Sequence, residues 1–513
     1  MTRTHTDGRS IVRIYLCRAG TFAVVATLIA ALTVFGGVPY AAPRQVSATS
    51  TGPALPLTNT GTWITGADGR VVVLHGMNQV YKVPPYTPSA DGFGASDAEF
   101  LATYGFNAMR LGVIWKAVEP QPGVYDDTYL ASIAQTVQIL AANGIVSLLD
   151  FHQDLYNELF QGEGAPDWAV QTGGLPNPQL GFSLNNYLNP AENYAWGAFW
   201  RNVPASDGVG LQDHLGGSIA HTAAYFLNNP NVLGYEVWNE PWPGPIWLPC
   251  VNPITGCILF DSTRLTDFYN RVVPTIRAAN PTAPVFFEPN TIFNVGIRTN
   301  LRSVNDPHTV FAFHDYCITP TQQPPLYQIC IVEDEFVFNH AKNYANKHGI
   351  PQLMTEFGAT EELKVIAEVM CHADDHKIGW LYWAYTGNDK TSVSPNGQAV
   401  VINPALPKTG DNVNWAKLKT LATPYPQVVA GTPTSWSFTS GILRLSYSTE
   451  RADGQGRFAP GTQTVISVPQ IWYPNGYRVT VTGGQVASAP GAPQLIVLAN
   501  QNASTVNVVV QTT

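Results

Sequence analysis

Two glutamates stand out by where they fall. Glu240 closes the segment VLGYEVWNEP (232–241), and Glu356 closes most of PQLMTEFG (351–358), each at the end of an otherwise apolar run. A carboxylate in such a place loses hydration, which is costly without partners. A single one could be half of a buried ion pair. Two of them, with Asn239 directly before the first, suit a reaction that needs two carboxyl groups in different protonation states. Cleavage of a glycosidic bond is such a reaction: one carboxylic acid protonates the leaving oxygen while an ionised carboxylate attacks the anomeric carbon. A gap of roughly 5–5.5 Å between them gives retention of configuration, and a wider gap admits a water and gives inversion.

Other polar side chains occupy equivalent places. Arg110 lies in NAMRLGVIW (107–115), His152 ends IVSLLDFH (145–152) with Asp154 just after it, His314 and Tyr316 end TVFAFHDY (309–316), and Trp383 lies in GWLYWAYT (379–386). With VVVLHGMN (71–78) and PVFFEPN (284–290) these runs number eight. Continuous apolar runs, rather than alternating ones, fit parallel strands buried on both faces. Helical patterns separate most of them, as at 126–144, 263–280 and 333–349, several ending at Gly or Asn. The α/β fold predicted is a (β/α)8 TIM barrel, whose active sites sit at the C-terminal ends of the strands, where these polar residues converge. One connection is unusually long. Some 60 residues rich in Gly, Pro, Asn and Trp separate Asp154 from the helical pattern near Gly216, a length that is usually functional.

The two ends of the chain differ from its middle. Arg3, Arg9, Arg13 and Arg18 precede an apolar run from Ala19 to about Val38, and Ala41 and Ala42 follow. This is the order of an export signal, placing the protein outside the cell or on its surface, with an uncleaved membrane anchor as the alternative. After 424–434 the helical period gives way to period-2 segments at 435–447, 462–469, 477–484 and 505–513, with Asn475-Gly476 as a hairpin signal. The expected organisation is a signal or anchor at 1–42, a barrel at 43–425 and a small C-terminal β-sandwich at 426–513. The spacing of Cys250 and Cys257, and of Cys317 and Cys330, allows two short disulfide loops. Cys371 is then left over as an inert buried thiol. Charged residues make up only 12% of the chain and aromatics 11%, and the net charge of −9 argues against a nucleic-acid partner. A metal-dependent TIM-barrel hydrolase would need a ligand set that His75 and His152-Gln153-Asp154 do not supply, so no metal and no cofactor are expected.

These motifs resemble glycoside hydrolase family 5 of clan A. The resemblance covers roughly 60–420 and rests on WNEP, TEFG, NAMRLG, DFHQD, FHDY and YWAY. It implies a retaining double displacement with Glu240 as acid/base and Glu356 as nucleophile. It also implies supporting roles for Arg110, His152, Asn239, His314 and Tyr316. Asn239 would meet the sugar 2-hydroxyl, Tyr316 and Arg110 would keep Glu356 ionised, and Trp383 would form a stacking floor unless it is simply core. Within the family, GMNQVYKVPPY (76–86), DFHQDLYNELFQGEGAPDWA (150–169) and GYEVWNEPWPG (234–244) are similar to the endoglycoceramidase-like subgroup. That likeness implies cleavage between glycan and ceramide in a glycosphingolipid, with Lys82 and Asp154 as sugar contacts. An apolar stretch leaves Glu240: Trp242, Ile246, Trp247 and Leu248 are candidates for a lipid groove, though the same residues could pack beneath their loop. A family 5 glucanase or mannanase, or an enzyme limited to simple glycosylceramides, is the alternative. The expected partners are the glycosphingolipid and a transient membrane or micelle surface, with the protein itself a monomer.

Overall fold

The computed structural model describes residues 52–317, 327–387 and 395–513. The segment 1–42 read as an export signal lies outside them. No helix among the described residues is long and apolar enough to cross a membrane.

Eight parallel strands close into a barrel: His75–Gln79, Ala108–Ile114, Val146–His152, Val232–Glu236, Val285–Phe287, Thr309–Asp315, Gln352–Phe357 and Trp380–Tyr382. Each apolar run contributes one barrel strand, and seven of the eight are buried at every position. Helices such as Asp127–Ala141 and Thr266–Ala279 cover the outside. Alternate residues of a strand face opposite ways, and this separates the barrel lumen into two tiers. Towards the strand N-termini the residues are apolar. Ala108, Leu148, Phe286, Ala312, Leu353 and Leu381 form one buried cluster, closed by Leu57 and Ile64. Two residues further along come Arg110, Asp150, His314 and Thr355. The chain can approach this closely only where side chains are missing: a Cβ on Gly76 would lie 2.0 Å from the Ala108 carbonyl oxygen.

The run 71–78 does not form a single strand. Val71–Val72 pairs antiparallel with Val428–Val429, and the barrel strand begins only at His75. Thr58–Thr60 and Trp63–Thr65 join the same seven-stranded sheet, which continues through Tyr425–Val429, Gln463–Ser467, Gln494–Ala499 and Gly484–Val486. The C-terminal β-sandwich therefore takes three of its strands from before the barrel. An apolar run tells that a segment is buried, not in which sheet. A second sheet of four strands, Thr432–Thr439, Ile442–Ser448, Thr505–Thr512 and Tyr477–Thr482, packs across it around Trp436, Leu445, Val497 and Val508. The segment 435–447 is a hairpin rather than one strand, turning at Ser440 (φ 53°) and Gly441 (φ 76°), the positive-φ pair that two-residue hairpins require. Asn475-Gly476 is a turn, closed by the Gly476 N–H on the Tyr473 carbonyl, but it leads into a strand that pairs with the last one.

The long connection after the third strand is ordered. It holds the helix Pro190–Trp200, started by Asn189, whose Oδ1 accepts from the N–H groups of Ala191 and Glu192. Cys250–Cys257 and Cys317–Cys330 are disulfides. Cys371 departs from expectation: it is half-buried and disulfide-bonded.

Trp436 joins sandwich to barrel, its Nε1 donating to Asp374 Oδ1 at 2.6 Å from the helix Leu363–His376. Trp436→Ala should destabilise the protein by about 3–5 kcal/mol, the range for deleting a buried large aromatic, read as a lowered midpoint of chemical unfolding.

Candidate active site

Arg110 sits at the centre of the polar tier with no exposed surface. Its Nε donates to Glu236 Oε2 at 2.5 Å. One Nη1 reaches Glu356 Oε1 at 2.5 Å and Asn78 Oδ1 at 3.1 Å, and Nη2 reaches Asn239 Oδ1 at 2.8 Å. Asp150 lies 3.0 Å from Nη2 and Glu288 3.4 Å. The alternation of the strands places Arg110, Asp150 and Glu288, each two positions after an apolar lumen residue, while Glu236 ends its strand and Asn239 lies three residues beyond it.

Glu356 gains its place through a register shift. The pairing of the sixth and seventh strands slips between Met354 and Glu356, so Thr355 and Glu356 both reach partners in the lumen. Thr355 Oγ1 donates to Glu236, and Glu356 meets Arg110. A bulge of this kind re-aims a side chain at a site. Tyr316 Oη donates to Glu356 Oε2 at 2.8 Å.

Glu240 lies four residues past its strand, with φ +46°. A non-glycine residue in that region is strained and persists only where its surroundings fix it. Here the Glu240 N–H donates to Glu288 Oε2 at 3.1 Å, and its carbonyl accepts from Thr291 Oγ1 at 2.6 Å and Gln153 Nε2 at 3.2 Å. The carboxylate Oε1 accepts from Asn294 Nδ2 at 2.7 Å and lies 2.8 Å from His314 Nδ1. His314 Nδ1 is also 3.6 Å from Glu356 Oε2, and one oxygen of each carboxylate is within 4.8 Å of the other.

The two carboxyl groups differ in surroundings. Burial, and next the charge of Asp154, push Glu240 up to about 8. Burial also raises Glu356, to about 7, tempered by His314, Arg110 and the hydrogen bond from Tyr316. Burial lowers His314 to about 4, so its imidazole is neutral at neutral pH. Burial, with the charge of Glu356, keeps Tyr316 a phenol and hence a donor. The arrangement offers one carboxyl group poised to give a proton and a second, contacted by a guanidinium and a phenol, at the distance for direct attack.

The remaining expected residues border this pair. His152 Nδ1 is held by Asp150 Oδ2 at 2.7 Å, and its ring stacks on Trp383 with centroids 5.4 Å apart. Trp383 is nearly buried and tied by Nε1 to Gln398 Oε1. Lys82 pairs with Asp154 and lies 4.5 Å over the Trp383 ring. Asn239 spends its oxygen on Arg110 and one N–H on the Gln153 carbonyl. Among the groove candidates, Trp242 is not surface: it is buried, with Nε1 on Asn193 and its ring against Tyr187, because the long third connection packs over it. Trp247 is half-buried beside it, and Ile246 and Leu248 are exposed. Sets such as His152, Asp154 and Glu163, or Glu236, Glu288 and His314, bring metal-ligand atoms together. Each already faces a cation of the protein itself, Lys82 in the first and Arg110 in the second.

Asn78, Asp150, Glu236, Glu288 and Asn294 belong to the site and were not anticipated. Glu288 ends PVFFEPN in the manner of the two expected glutamates, so the same signal marks it. Asn294 comes from a short helix after the fifth strand, where sequence carries no such signal.

Residues 66–389 match the family model described as cellulase (glycosyl hydrolase family 5), and residues 424–510 match the family 5 C-terminal domain. Endoglycoceramidase I of Rhodococcus hoagii (strain 103S) is 34% identical over 87% of each chain. The ganglioside GM3 complex of endo-glycoceramidase II from Rhodococcus sp. superposes with a TM-score of 0.73 at 26% identity, over 88% of this chain and 100% of that one. An endogalactoceramidase structure gives a TM-score of 0.66 at 25% identity, covering 90% of this chain and all of the other.

If Glu240 must be protonated to react, activity falls as pH rises through its pKa. Asp154 disfavours the charged form of Glu240, so Asp154→Asn should move the alkaline limb of the kcat/KM profile to lower pH. A limb that stays put or moves up would contradict this electrostatic coupling.

Proposed function

This chain belongs to glycoside hydrolase family 5, and on that premise we propose that it hydrolyses the linkage between glycan and ceramide in glycosphingolipids with retention of configuration. Glu240 protonates the ceramide oxygen while Glu356 attacks the anomeric carbon. A glycosyl-enzyme forms and ceramide leaves. Glu240, now a carboxylate, takes a proton from water, which attacks the same carbon and frees the glycan and Glu356. The observation that carries this reading is the pair of facing carboxyl groups, an oxygen of each within 4.8 Å of the other, with the guanidinium and the phenol on Glu356 and not on Glu240. A gap this small supports direct attack over an interposed water. Arg110 and Tyr316 hold Glu356, and Asn239 is placed beside Glu240 for the sugar 2-hydroxyl. Lys82, Asp154, His152 and Trp383 form a polar and aromatic wall for the glycan.

The leaving-group side supports a lipid. Beyond Glu240 the segment 244–260 exposes Ile246, Leu248, Val251, Ile254, Ile258 and Leu259. Leu184, Tyr187 and Leu188 of the helix Leu184–Leu188 add to it, with Tyr187 against Trp247. A single apolar residue on a surface needs no explanation, but a joined set beside a site marks an interaction surface. A polysaccharide would leave it bare. It suits ceramide and the membrane or micelle that holds it, and with the N-terminal segment read as an export signal the substrate would be met outside the cytoplasm.

A product assay separates the readings. Glycosphingolipids should yield free ceramide and intact glycan, and Glu356→Gln should abolish this while substrate binding persists. Cleavage of carboxymethylcellulose or mannan alone would move the assignment to a polysaccharide hydrolase of the same family.

The surface is tested apart from the chemistry. Ile254 and Leu259 are 80% and 74% exposed. Changing both to Asp should weaken binding to phosphatidylcholine vesicles carrying glycosphingolipid by about 10-fold or more, given the worth of a buried aliphatic side chain. Hydrolysis of a soluble aryl glycoside should be unchanged. Equal vesicle binding would remove the membrane from the proposal.

A further inference from the structure

Glu288 is a third carboxyl group under the catalytic pair. It follows the fifth barrel strand and is 1% exposed. Its Oε2 accepts from the Glu240 N–H, and its Oε1 lies 3.5 Å from His314 Nε2 and 3.4 Å from Arg110 Nη2. His314 Nε2 is itself buried and makes no hydrogen bond to any group among the described residues, Glu288 Oε1 at 3.5 Å being the acidic oxygen that faces it. On its other side the same ring presents Nδ1 to Glu240 Oε1 at 2.8 Å. Glu288, His314 and Glu240 thus stand in a row, with the imidazole in the middle.

The charges around Glu288 decide which form it takes. Facing it are Glu236 from the neighbouring fourth strand, Asp150 from the third, Glu240, neutral His314, the cation Arg110, and Tyr269, whose Oη donates to the Glu288 carbonyl oxygen. Arg110 gives its shorter bonds to Glu236, Glu356, Asn239 and Asn78, leaving Glu288 the longest contact. Burial first, and then the charge of Glu236, hold the Glu288 carboxyl well above the usual range. A neutral imidazole has one N–H and one lone pair, and what faces one nitrogen sets which the other presents.

We propose that Glu288 is a positioning residue: as a neutral carboxyl group it donates its O–H to Nε2 of His314 and so fixes the imidazole proton on Nδ1, aimed at Glu240. No proton changes owner in this arrangement. When Glu240 has given its own proton to the leaving group, the new carboxylate meets an N–H that is already in place. The opposite tautomer would set a lone pair against it. This role rests on the reading of Glu240 as acid/base.

Glu288→Gln keeps an N–H donor for His314 and an oxygen for the Glu240 N–H; Glu288→Leu keeps neither. The readout is kcat/KM, which reports bond cleavage, for a glycosphingolipid and for an aryl glycoside whose leaving group needs no proton. Gln should stay within about fivefold of wild type. Leu should lose about 10-fold or more on the lipid but much less on the aryl glycoside, a part of the roughly 10²–10⁴ that a positioned acid supplies. A Gln variant as impaired as Leu, or equal losses on both substrates, would overturn the proposal. Should Leu fail to fold, the 15N spectrum of histidine-labelled wild-type enzyme decides, with His314→Gln to assign the signal. A neutral ring protonated at Nδ1 is expected, and one protonated at Nε2 overturns the proposal. Glu240→Gln is the control. If it lacks the leaving-group dependence, the reading of Glu240 fails; if it shows it and the Glu288 variants do not, only the role of Glu288 falls.

Discussion

A single guanidinium, sealed from water, organises the barrel mouth. Arg110 faces Asp150, Glu236, Glu288 and Glu356 with no exposed surface of its own. One positive charge cannot balance four negative ones in a medium where isolated charges are so costly. The cluster must therefore keep protons on some of its members. The planar fork of five N–H groups also dictates where each acceptor stands. The rest of the site is arranged around that fork: Glu356 at one tip, Asn239 at another, and Glu240 carried by the residue next to Asn239.

The unequal protonation needed for two-step glycoside cleavage follows from this shortage of positive charge. Both facing carboxyl groups, Glu240 and Glu356, are raised by burial, and what separates them is local. Glu356 has the guanidinium and a phenol, whereas Glu240 has an amide, an uncharged imidazole and the nearby charge of Asp154. Glu240 also stands on backbone of left-handed φ, held by Glu288, Thr291 and Gln153. Strain and charge asymmetry meet at one residue, and neighbours from three different strand-end segments sustain them.

Much of this was legible in the chain. Apolar runs ending in polar residues gave eight strands, the face of the site, and Glu240, Glu356, Arg110, His314 and Tyr316 as a group. What was hidden depended on the third dimension. The bulge that turns Glu356 into the lumen, the burial of Trp242 under a distant connection and the contact of Asn294 leave no trace in local pattern. Glu288 obeys the same rule as its two counterparts, ending an apolar run, although it lies outside the family motifs. The strand pairing of Val71–Val72 was out of reach for another reason, since one hydrophobic run served two sheets.

That shared run has a consequence for how the chain comes into being. The sheet that receives Thr58–Thr60, Trp63–Thr65 and Val71–Val72 also needs Tyr425–Val429 and Gln463–Ser467. Some 350 residues of barrel separate the two contributions, so this sheet is a pairing of very high contact order, the slowest kind to form. During synthesis the early strands wait with open edges until almost the whole polypeptide has emerged. The barrel and its companion are thus less like beads that can be exchanged between enzymes than like a bag and its drawstring. Cutting the chain between them, or grafting the last ninety residues elsewhere, would leave both pieces with an unfinished edge.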